Sequence, residues 1–492
     1  MAEPAIIGVQ RAEARLPLPF AIAAFSFLVA LAFAPNLLRD PDTLWHVVTG
    51  NWILAHGSVP HVDFYSYTMT GKPWVAHEWL AEVLLAGAYD LLGWHGLALL
   101  GALAVAAAMG ILSRALLRSL DPIHVVIAVM SAWILLTYHI LARPHLLALP
   151  LLVLWISTVV AARDAGKAPA LPWALLMVPW ANMHGSFLFG LGFAGMLALE
   201  AFATAEDSTE RWRAVWGWGR FIGLASLLPL IGPNGAEVYL LPLRLLGMTY
   251  TLSILAEWNA PDFNLVAPLE FWLLLAVLVG FVTRFRLPWS RALMVLFLLH
   301  LALKHERHGE LLGFGAALLV ASPLGAYLRE QRLASGLPLP EAGTGLRLRR
   351  PVLAFGGLAF IALVALAYMQ PLAPPPYRMP AAALQAVRDR HVTGNVLNAD
   401  SFGGYLIWEG IPTFVDGRAD MFGDAFIERE HKAMVLASGE LPALLEEYAV
   451  TWTLFQPNAR AVVLLDHLPG WQRLYTGEFA VVHVRSAALP PR

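Results

Sequence analysis

The sequence predicts an α-helical polytopic membrane protein with about eleven transmembrane helices and a small C-terminal α/β domain. Of its 492 residues, 58% are hydrophobic and only 14% are charged, and the mean hydropathy is +0.61. A soluble domain usually carries about a quarter charged residues. The apolar residues also form successive runs of about 20, the length that a helix needs to cross a bilayer. After residue 371 the composition changes, which indicates a separate appendage.

The membrane domain is predicted to occupy residues 1–371. Its spans are placed near 17–36, 94–116, 121–141, 146–163, 169–183, 186–204, 217–233, 266–283, 287–303, 308–328 and 351–370. Segment 79–93 is interpreted as a helix at the membrane interface. Residues 37–78 form a long first external loop, in which Asp42–His56 has the apolar spacing of a helix lying on the membrane surface. Residues 329–350 are rich in Gly, Pro and Arg and are predicted to be a linker.

The distribution of Lys and Arg predicts the orientation of the spans. Up to residue 371, one set of loops and ends carries seventeen of these cations and the opposite set carries six. Cytoplasmic loops are enriched in Lys and Arg. The N-terminus is therefore predicted to be cytoplasmic, and the tail at 372–492 extracytoplasmic.

The tail is predicted to alternate short strands with helices. Strands are expected at 395–398, 413–416, 451–455 and 479–484, and helices near 425–437 and 440–448. In GNVLNADSFGGYLIW (394–408) the glycines are expected to form tight turns. DGRAD (416–420) is interpreted as a charged turn held by a salt bridge rather than as a catalytic motif.

Several function classes are disfavoured by composition and motif context. The net charge of −2 gives no indication of a nucleic-acid partner. There is no cysteine for disulfides or thiol catalysis. HEWLAE (77–82) lacks the second His of a zinc-protease motif, and GLGFAG (190–195) lies inside an apolar span, where small residues serve helix packing.

The unusual polar clusters all fall on the predicted extracytoplasmic side. They are DPDTLWH at 40–46, HEW at 77–79, RPH at 143–145, NMHG at 182–185, PNG at 233–235, EW at 257–258 and KHERH at 304–308. Polar groups at membrane depth are costly and usually mark function. Their convergence on one face predicts a single site.

The acidic candidates have structural alternatives. Asp40 and Asp42 follow the first span, where a carboxylate can act as a general base, but Asp42 also precedes a helix and could cap it. His77 and Glu78 likewise stand where a helix begins, and an acidic residue in the first turn is favourable there.

The basic candidates divide between phosphate binding and placement at the membrane interface. Arg143 with His145, and Lys304 and Arg307 with His308, are cations and imidazoles at span ends. Arg and Lys bind phosphate oxygens well, but they also extend towards the interface. His46 and His184 are further candidates. Sixteen histidines leave a metal site open, although no spacing specifies one.

The stretch DPDTLWHVVTGNWILAHGSVPHVDFYSYT, followed by PWVAHEWLAEV, resembles a group of bacterial membrane proteins of GT-C type, as do GGYLIW and DGRADMFG in the tail. The acidic motif after the first span resembles the wider GT-C superfamily of membrane glycosyltransferases, which use polyprenyl-phosphate sugars. Pro41 separates Asp40 from Asp42, whereas GT-C enzymes often carry adjacent acidic residues.

The resemblance implies sugar transfer from a polyprenyl-phosphate donor to a glycan, lipid or protein acceptor at the outer face of a bacterial cytoplasmic membrane. Asp42, or else Asp40, would be the base, with Glu78 supporting it. Arg143, Lys304, Arg307 and Arg244 would stabilise the departing phosphate. In-line attack with one base implies inversion. A divalent cation, Mg²⁺ or Mn²⁺, stays open.

Two alternatives belong to other classes, a lipid or polysaccharide transporter and a non-catalytic envelope scaffold. Transporters place polar groups near mid-membrane in repeated halves, whereas these clusters lie at span ends and no repeat is found. Retention of acids and cations at one face argues against a scaffold.

Overall fold

The computed structural model describes residues 13–264, 267–338 and 345–488. A helix lies in each of the eleven apolar segments that the sequence predicts as spans. The helices described in the membrane part are α1 Leu18–Ala32, α2 Ala34–Leu37, α3 Asp42–His56, α4 Trp79–Leu92, α5 Trp94–Leu116, α6 Pro122–Leu136, α7 Pro144–Asp164, α8 Met177–Ala181, α9 Phe187–Ala203, α10 Ser208–Leu227, α11 Glu237–Gly247, α12 Thr249–Ile254, α13 Pro268–Val282, α14 Trp289–Lys304, α15 Gly309–Ala334 and α16 Arg350–Met369.

Four of these helical segments are long and apolar enough to cross a membrane by themselves: α5, α7, the segment Glu306–Ala334 and α16. Shorter apolar helices accompany them, among them α1, α6, α9 and α13. The predicted seventh segment, 217–233, is displaced towards the N-terminus. Its helix begins at Ser208 because Asp207 Oδ1 accepts the backbone N–H of Glu210 at 2.7 Å, and it ends before Pro229.

The predicted linker 329–350 is more ordered than expected at both of its ends. Helix α15 continues to Ala334, and β2 (Gly345–Arg349) pairs antiparallel with β1 (Glu13–Pro17). Residues 339–344 of this linker lie outside the described residues.

Helix packing forms the core of the membrane part. Helix α5 lies between α1 and α7, and α3 packs on α4. Gly190 supports the packing interpretation of GLGFAG, because a Cβ there would lie 2.5 Å from the Trp180 ring. The backbone oxygen of Gly190 also contributes to the packing, because it accepts the indole N–H of Trp155 at 2.7 Å.

The tail forms a four-stranded mixed sheet with helices around it. Its elements are α17 Ala381–Asp389, β3 Asn395–Asn398, α18 Asp400–Trp408, α19 Ala419–Phe422, α20 Asp424–Met434, α21 Leu441–Glu447, β4 Val450–Phe455, α22 Arg460–Leu465, β5 Trp471–Thr476 and β6 Val481–Arg485. The strand order is β3-β4-β6-β5, with β3 parallel to β4 and the other two pairs antiparallel.

The strand predicted at 413–416 is wrong, and the turn conformation predicted for the glycines of 394–408 holds at Gly394, whose φ is +96°, but not at Gly403 and Gly404. Residues 413–416 are not a strand of this sheet. Only Thr413 forms a bridge, and its partner is Ser66 in the first external loop. Gly403 and Gly404 do not form turns, because both lie inside α18. A Cβ at Gly404 would lie 2.1 Å from the carbonyl oxygen of Pro41, so these glycines allow α18 to approach the start of α3.

Candidate active site

Asp40, Asp42 and Arg143 form the centre of the candidate site. Arg143 Nη2 lies 2.9 Å from Asp42 Oδ2, and its Nη1 lies 3.3 Å from Asp40 Oδ2. The connection before α7 is fixed to the chain around α3, since Thr43 Oγ1 donates to Ala142 O at 3.1 Å and Ala142 N donates to Leu37 O at 2.8 Å. These bonds hold the guanidinium against the two carboxylates.

The two aspartates have different partners. Asp40 Oδ1 accepts the backbone N–H of Asp42 at 2.8 Å, so Asp40 supplies the local turn bond at the start of α3. Asp42 makes no capping bond to the helix backbone. Its Oδ1 accepts the indole N–H of Trp45 at 3.2 Å. Of the two interpretations of Asp42, helix cap and general base, the capping role is therefore absent.

Glu257 joins a second cation to this centre. Its Oε2 lies 3.5 Å from Arg143 Nη1, and its Oε1 accepts from Arg307 Nη1 at 2.8 Å. The Arg307 guanidinium lies 4.7 Å from the centre of the Trp258 ring. The sequence analysis places the pair Glu257 and Trp258 on the same face as the other polar clusters but gives it no role. Its position between two arginines depends on the tertiary structure.

The pKa values of Asp42 and Glu257 lie far apart. Burial raises the pKa of Asp42 to about 7, although Arg143 lowers it; Asp40 adds to the rise. Burial alone would raise the pKa of Glu257 as well, but Arg307 and Arg143 hold it at about 2. Asp42 can thus exchange a proton near neutral pH, whereas Glu257 stays ionised. A general base works best with a pKa near the working pH.

A second polar group lies beside the first, at the start of α4. Glu78 has His46, His77 and His184 around it, with closest N···O distances of 3.9, 3.7 and 3.8 Å. Burial raises the pKa of Glu78. These four residues come from one helix and two loops, and the fold brings them together, as the clustering of polar motifs on one predicted face leads us to expect.

His46 and Glu82 form a buried pair below this group. His46 Nδ1 lies 3.3 Å from Glu82 Oε1, and both side chains are buried. Burial, together with Arg143, lowers the pKa of His46 well below its usual value, and burial raises that of Glu82 well above. Both pKa shifts favour the neutral forms of His46 and Glu82. The pair therefore holds α3 against α4 and adds no charge to the site. Gly50 permits the approach, because a Cβ there would lie 2.0 Å from Glu82 O.

The tail covers Asp42 directly. A Cβ at Gly417, in the DGRAD turn, would lie 1.9 Å from Asp42 Oδ1. The turn is held by buried ion pairs, as predicted: Arg418 Nη2 lies 2.7 Å from Asp416 Oδ2, and Arg418 Nη1 lies 2.7 Å from Asp63 Oδ1 in the first external loop. The carboxylate of Asp42 is therefore enclosed by both parts of the chain.

The remaining predicted residues are placed less centrally. Arg244 is exposed on α11. Its Nη2 lies 2.5 Å from Glu237 Oε2, and this contact is outside the group of Asp40, Asp42 and Arg143. Lys304 ends α14 and is exposed. His308 is buried, with its ring 5.3 Å from Phe189 and 6.2 Å from Trp258, measured between ring centres. Arg244 thus loses its support as a phosphate ligand, while Arg143 and Arg307 share one acidic partner.

Within the described residues, one group of side chains could hold a metal ion. His139, His145 and Glu310 each offer a ligand atom, and these atoms lie within 4.8 Å of one another. The sequence left Mg²⁺ or Mn²⁺ open, but those ions prefer oxygen ligands. Two imidazoles favour a transition metal such as zinc.

Comparison with solved structures identifies the architecture. The crystal structure of ArnT from Cupriavidus metallidurans bound to undecaprenyl phosphate matches with a TM-score of 0.50, covering 96% of this chain and 99% of that chain at 12% identity. The apo structure of the same ArnT matches with a TM-score of 0.50 at 14% identity, covering 96% and 98%. The chain therefore has the fold of these ArnT structures. No protein-family profile and no curated protein matches the sequence. The expected fold class, helical with a small C-terminal sheet, is thereby confirmed.

Proposed function

We propose that this protein is a membrane glycosyltransferase that moves a sugar from a polyprenyl-phosphate donor to an acceptor hydroxyl. The observation that carries the proposal is Asp42, a part-buried carboxylate with a pKa of about 7 that is paired with Arg143, in a chain with the fold of ArnT. ArnT was crystallised with undecaprenyl phosphate. We infer a donor of the same lipid class here.

The proposed reaction needs one base and one group of cations. Asp42 accepts the proton of the acceptor hydroxyl while the hydroxyl oxygen attacks the anomeric carbon. The bond from that carbon to the phosphate oxygen breaks, and the polyprenyl phosphate leaves with the electron pair. A single displacement of this kind inverts the anomeric configuration, by analogy with inverting glycosidases.

The cations act on the leaving group. Arg307 and Arg143 stabilise the negative charge that develops on the phosphate, which is the kind of preorganised electrostatic effect that contributes most in enclosed sites. Arg307 is the better of the two for direct contact, because among the described residues one carboxylate, Glu257, is paired with it, whereas three are paired with Arg143. Arg143 therefore also tunes Asp42.

The orientation and location belong to the same proposal. The site residues lie at the ends of helices whose connecting loops hold few Lys and Arg. By the positive-inside rule, this distribution supports an orientation with the site and the tail outside the cytoplasm. The N-terminus is cytoplasmic in this arrangement. The tail, by covering Asp42, would contribute to acceptor binding.

Sugar transfer in reconstituted vesicles tests the proposal. Labelled polyprenyl-phosphate sugars are offered to wild type, Asp42→Asn and the matched control Asp90→Asn, whose carboxylate is exposed on α4. We expect label to leave the lipid with wild type and Asp90→Asn, and the rate to fall by about 10²–10⁴-fold in Asp42→Asn, the usual contribution of a general base. Full activity of Asp42→Asn would remove it as the base. Absence of transfer from every donor by folded wild-type protein would favour a scaffold.

A further inference from the structure

The group His139, His145 and Glu310 lies where three membrane helices end. His139 closes the turn after α6, His145 is in the first turn of α7, and Glu310 is in the first turn of α15. Their ligand atoms lie within 4.8 Å of one another although Glu310 is far from the other two in sequence. Two imidazoles and one carboxylate make a set of three protein ligands known from zinc sites that keep a fourth position open.

The hydrogen bonds of His145 leave one ring nitrogen ready for a metal. His145 Nε2 lies 2.8 Å from the backbone oxygen of His139. A carbonyl oxygen only accepts, so Nε2 carries the proton and the lone pair lies on Nδ1. Metal-binding histidines usually donate their other ring N–H to a carbonyl or carboxylate in this way, which fixes the ring.

Glu310 supplies an independent observation. Its Oε2 is buried and has no hydrogen-bond partner. Burying a carboxylate oxygen without a partner is costly, because a polar atom removed from water needs a compensating interaction. A cation between Glu310 and the two imidazoles would provide that interaction.

We propose that His139, His145 and Glu310 bind a zinc ion that fixes the ends of α6, α7 and α15. Zinc bonds of about 2.0–2.2 Å place ligand atoms about 3.4 Å apart in a tetrahedral site. The three side chains would close by roughly 1 Å on binding, which side-chain rotation allows. The added positive charge is tolerated nearby, since Arg143 and Arg307 are both paired with Glu257.

The location of this metal site would let the ion position the two arginines Arg143 and Arg307. Arg143 lies in the short connection between His139 and His145, and Arg307 lies three residues before Glu310. An ion held by the three ligands would therefore fix the backbone that carries both guanidinium groups. Binding of zinc does not depend on sugar transfer, so the two proposals can fail separately.

Direct metal analysis tests the proposal. The full chain, purified without a histidine tag, is stripped with chelator, titrated with zinc alone, and assayed for bound metal by mass spectrometry. We expect about one zinc per chain for wild type and for His467→Ala, which removes an exposed imidazole in the tail. Glu310→Gln and His145→Ala should bind at least tenfold more weakly, the usual result of losing one protein ligand or its support.

A spectroscopic readout separates ligand loss from misfolding. Cobalt(II) should give the visible absorption of a tetrahedral site in wild type and His467→Ala and lose it in Glu310→Gln, which keeps the shape of the side chain. Zinc should raise the thermal unfolding midpoint of wild type but not of Glu310→Gln. Equal zinc content and equal cobalt spectra in wild type and Glu310→Gln would overturn the proposal. One bound zinc in a protein without transferase activity would leave the metal site intact and remove the proposed enzyme.

Discussion

Replacement of Arg418 by Met is expected to release the tail from the membrane part. Arg418 is 2% exposed, and its guanidinium donates to Asp63 Oδ1 at 2.7 Å and to Asp416 at 2.7 and 2.8 Å. It also lies 5.0 and 4.7 Å from the ring centres of Tyr65 and Trp74. Met fills a similar volume but leaves two buried carboxylates without a counter-charge.

The magnitude follows from those unpaired charges. Breaking a buried ion pair by removing one partner costs about 3–5 kcal/mol, a large part of the roughly 5–15 kcal/mol that stabilises a typical domain. Arg429→Met is the matched control, since Arg429 is exposed and pairs with Glu440 and Glu447 at the surface. Surface pairs contribute up to about 1 kcal/mol. The two substitutions should therefore differ by at least about 2 kcal/mol.

Limited proteolysis of the segment 371–380 under native conditions measures this difference. When opening is fast relative to cleavage, the cleavage rate follows the population of the open form. We expect Arg418→Met to raise the rate by about two to four orders of magnitude, and Arg429→Met by less than tenfold, given that 1.36 kcal/mol corresponds to a factor of ten.

A triple variant decides whether unpaired charge is the cause. Asp63→Asn and Asp416→Asn, added to Arg418→Met, remove the carboxylates together with the cation, and replacement of a complete buried ion group is often nearly neutral. The triple variant should therefore be cleaved more slowly than the single one. Equal cleavage of Arg418→Met and Arg429→Met, or a triple variant no more resistant than the single, would refute this reasoning.

Four further results are expected. Transfer should fall as pH drops below about 7, because a base whose folded pKa is raised loses its ionised form there, and Asp40→Asn should shift the profile to lower pH, since Asp40 raises the pKa of Asp42; an unshifted profile contradicts this. Gly417→Ala should reduce transfer at least tenfold, as its Cβ would displace the Asp42 carboxylate, and unchanged kinetics would show that this contact is unimportant. Arg307→Ala should weaken polyprenyl-phosphate binding by about tenfold to a hundredfold, the loss of a hydrogen bond to a charged group, whereas unchanged affinity removes it from the phosphate site. Reporter fusions at residue 371 should read extracytoplasmic, and a cytoplasmic signal would reverse the topology.

The sequence predicts the positions of the apolar helices because their signal is local, whereas the number that cross the membrane stays a prediction. A run of apolar residues specifies a span without knowledge of its neighbours, and α5 at Trp94–Leu116 lies at the predicted boundaries. The convergence of Asp42 with Arg143 and Arg307 was also predictable, since the charge distribution assigns their loops to one side. The phosphate role of Arg244 was not supported, because sharing a side does not imply proximity.

Contacts between distant segments could not be predicted in this way. Arg418 and Asp63 are 355 residues apart, and the sequence of neither segment identifies the other as its partner. Gly404 looked like a turn residue because glycine is common in turns, whereas its small size serves the approach of α18 to Pro41. Glu257 lies in a short 3-10 helix, and its importance depends on Arg143 and Arg307, which contact it only in the folded chain.

The docking of the tail also determines when the site can first exist during synthesis. Gly417 and Arg418 leave the ribosome after all the membrane helices, including α16, have been made. Until then Asp42 lacks its covering turn, and Asp63 is without the cation that neutralises it. A nascent or truncated chain would thus insert its helices with an open, unfinished centre. Assembly of the site is thus coupled to synthesis and docking of the tail that carries the DGRAD turn.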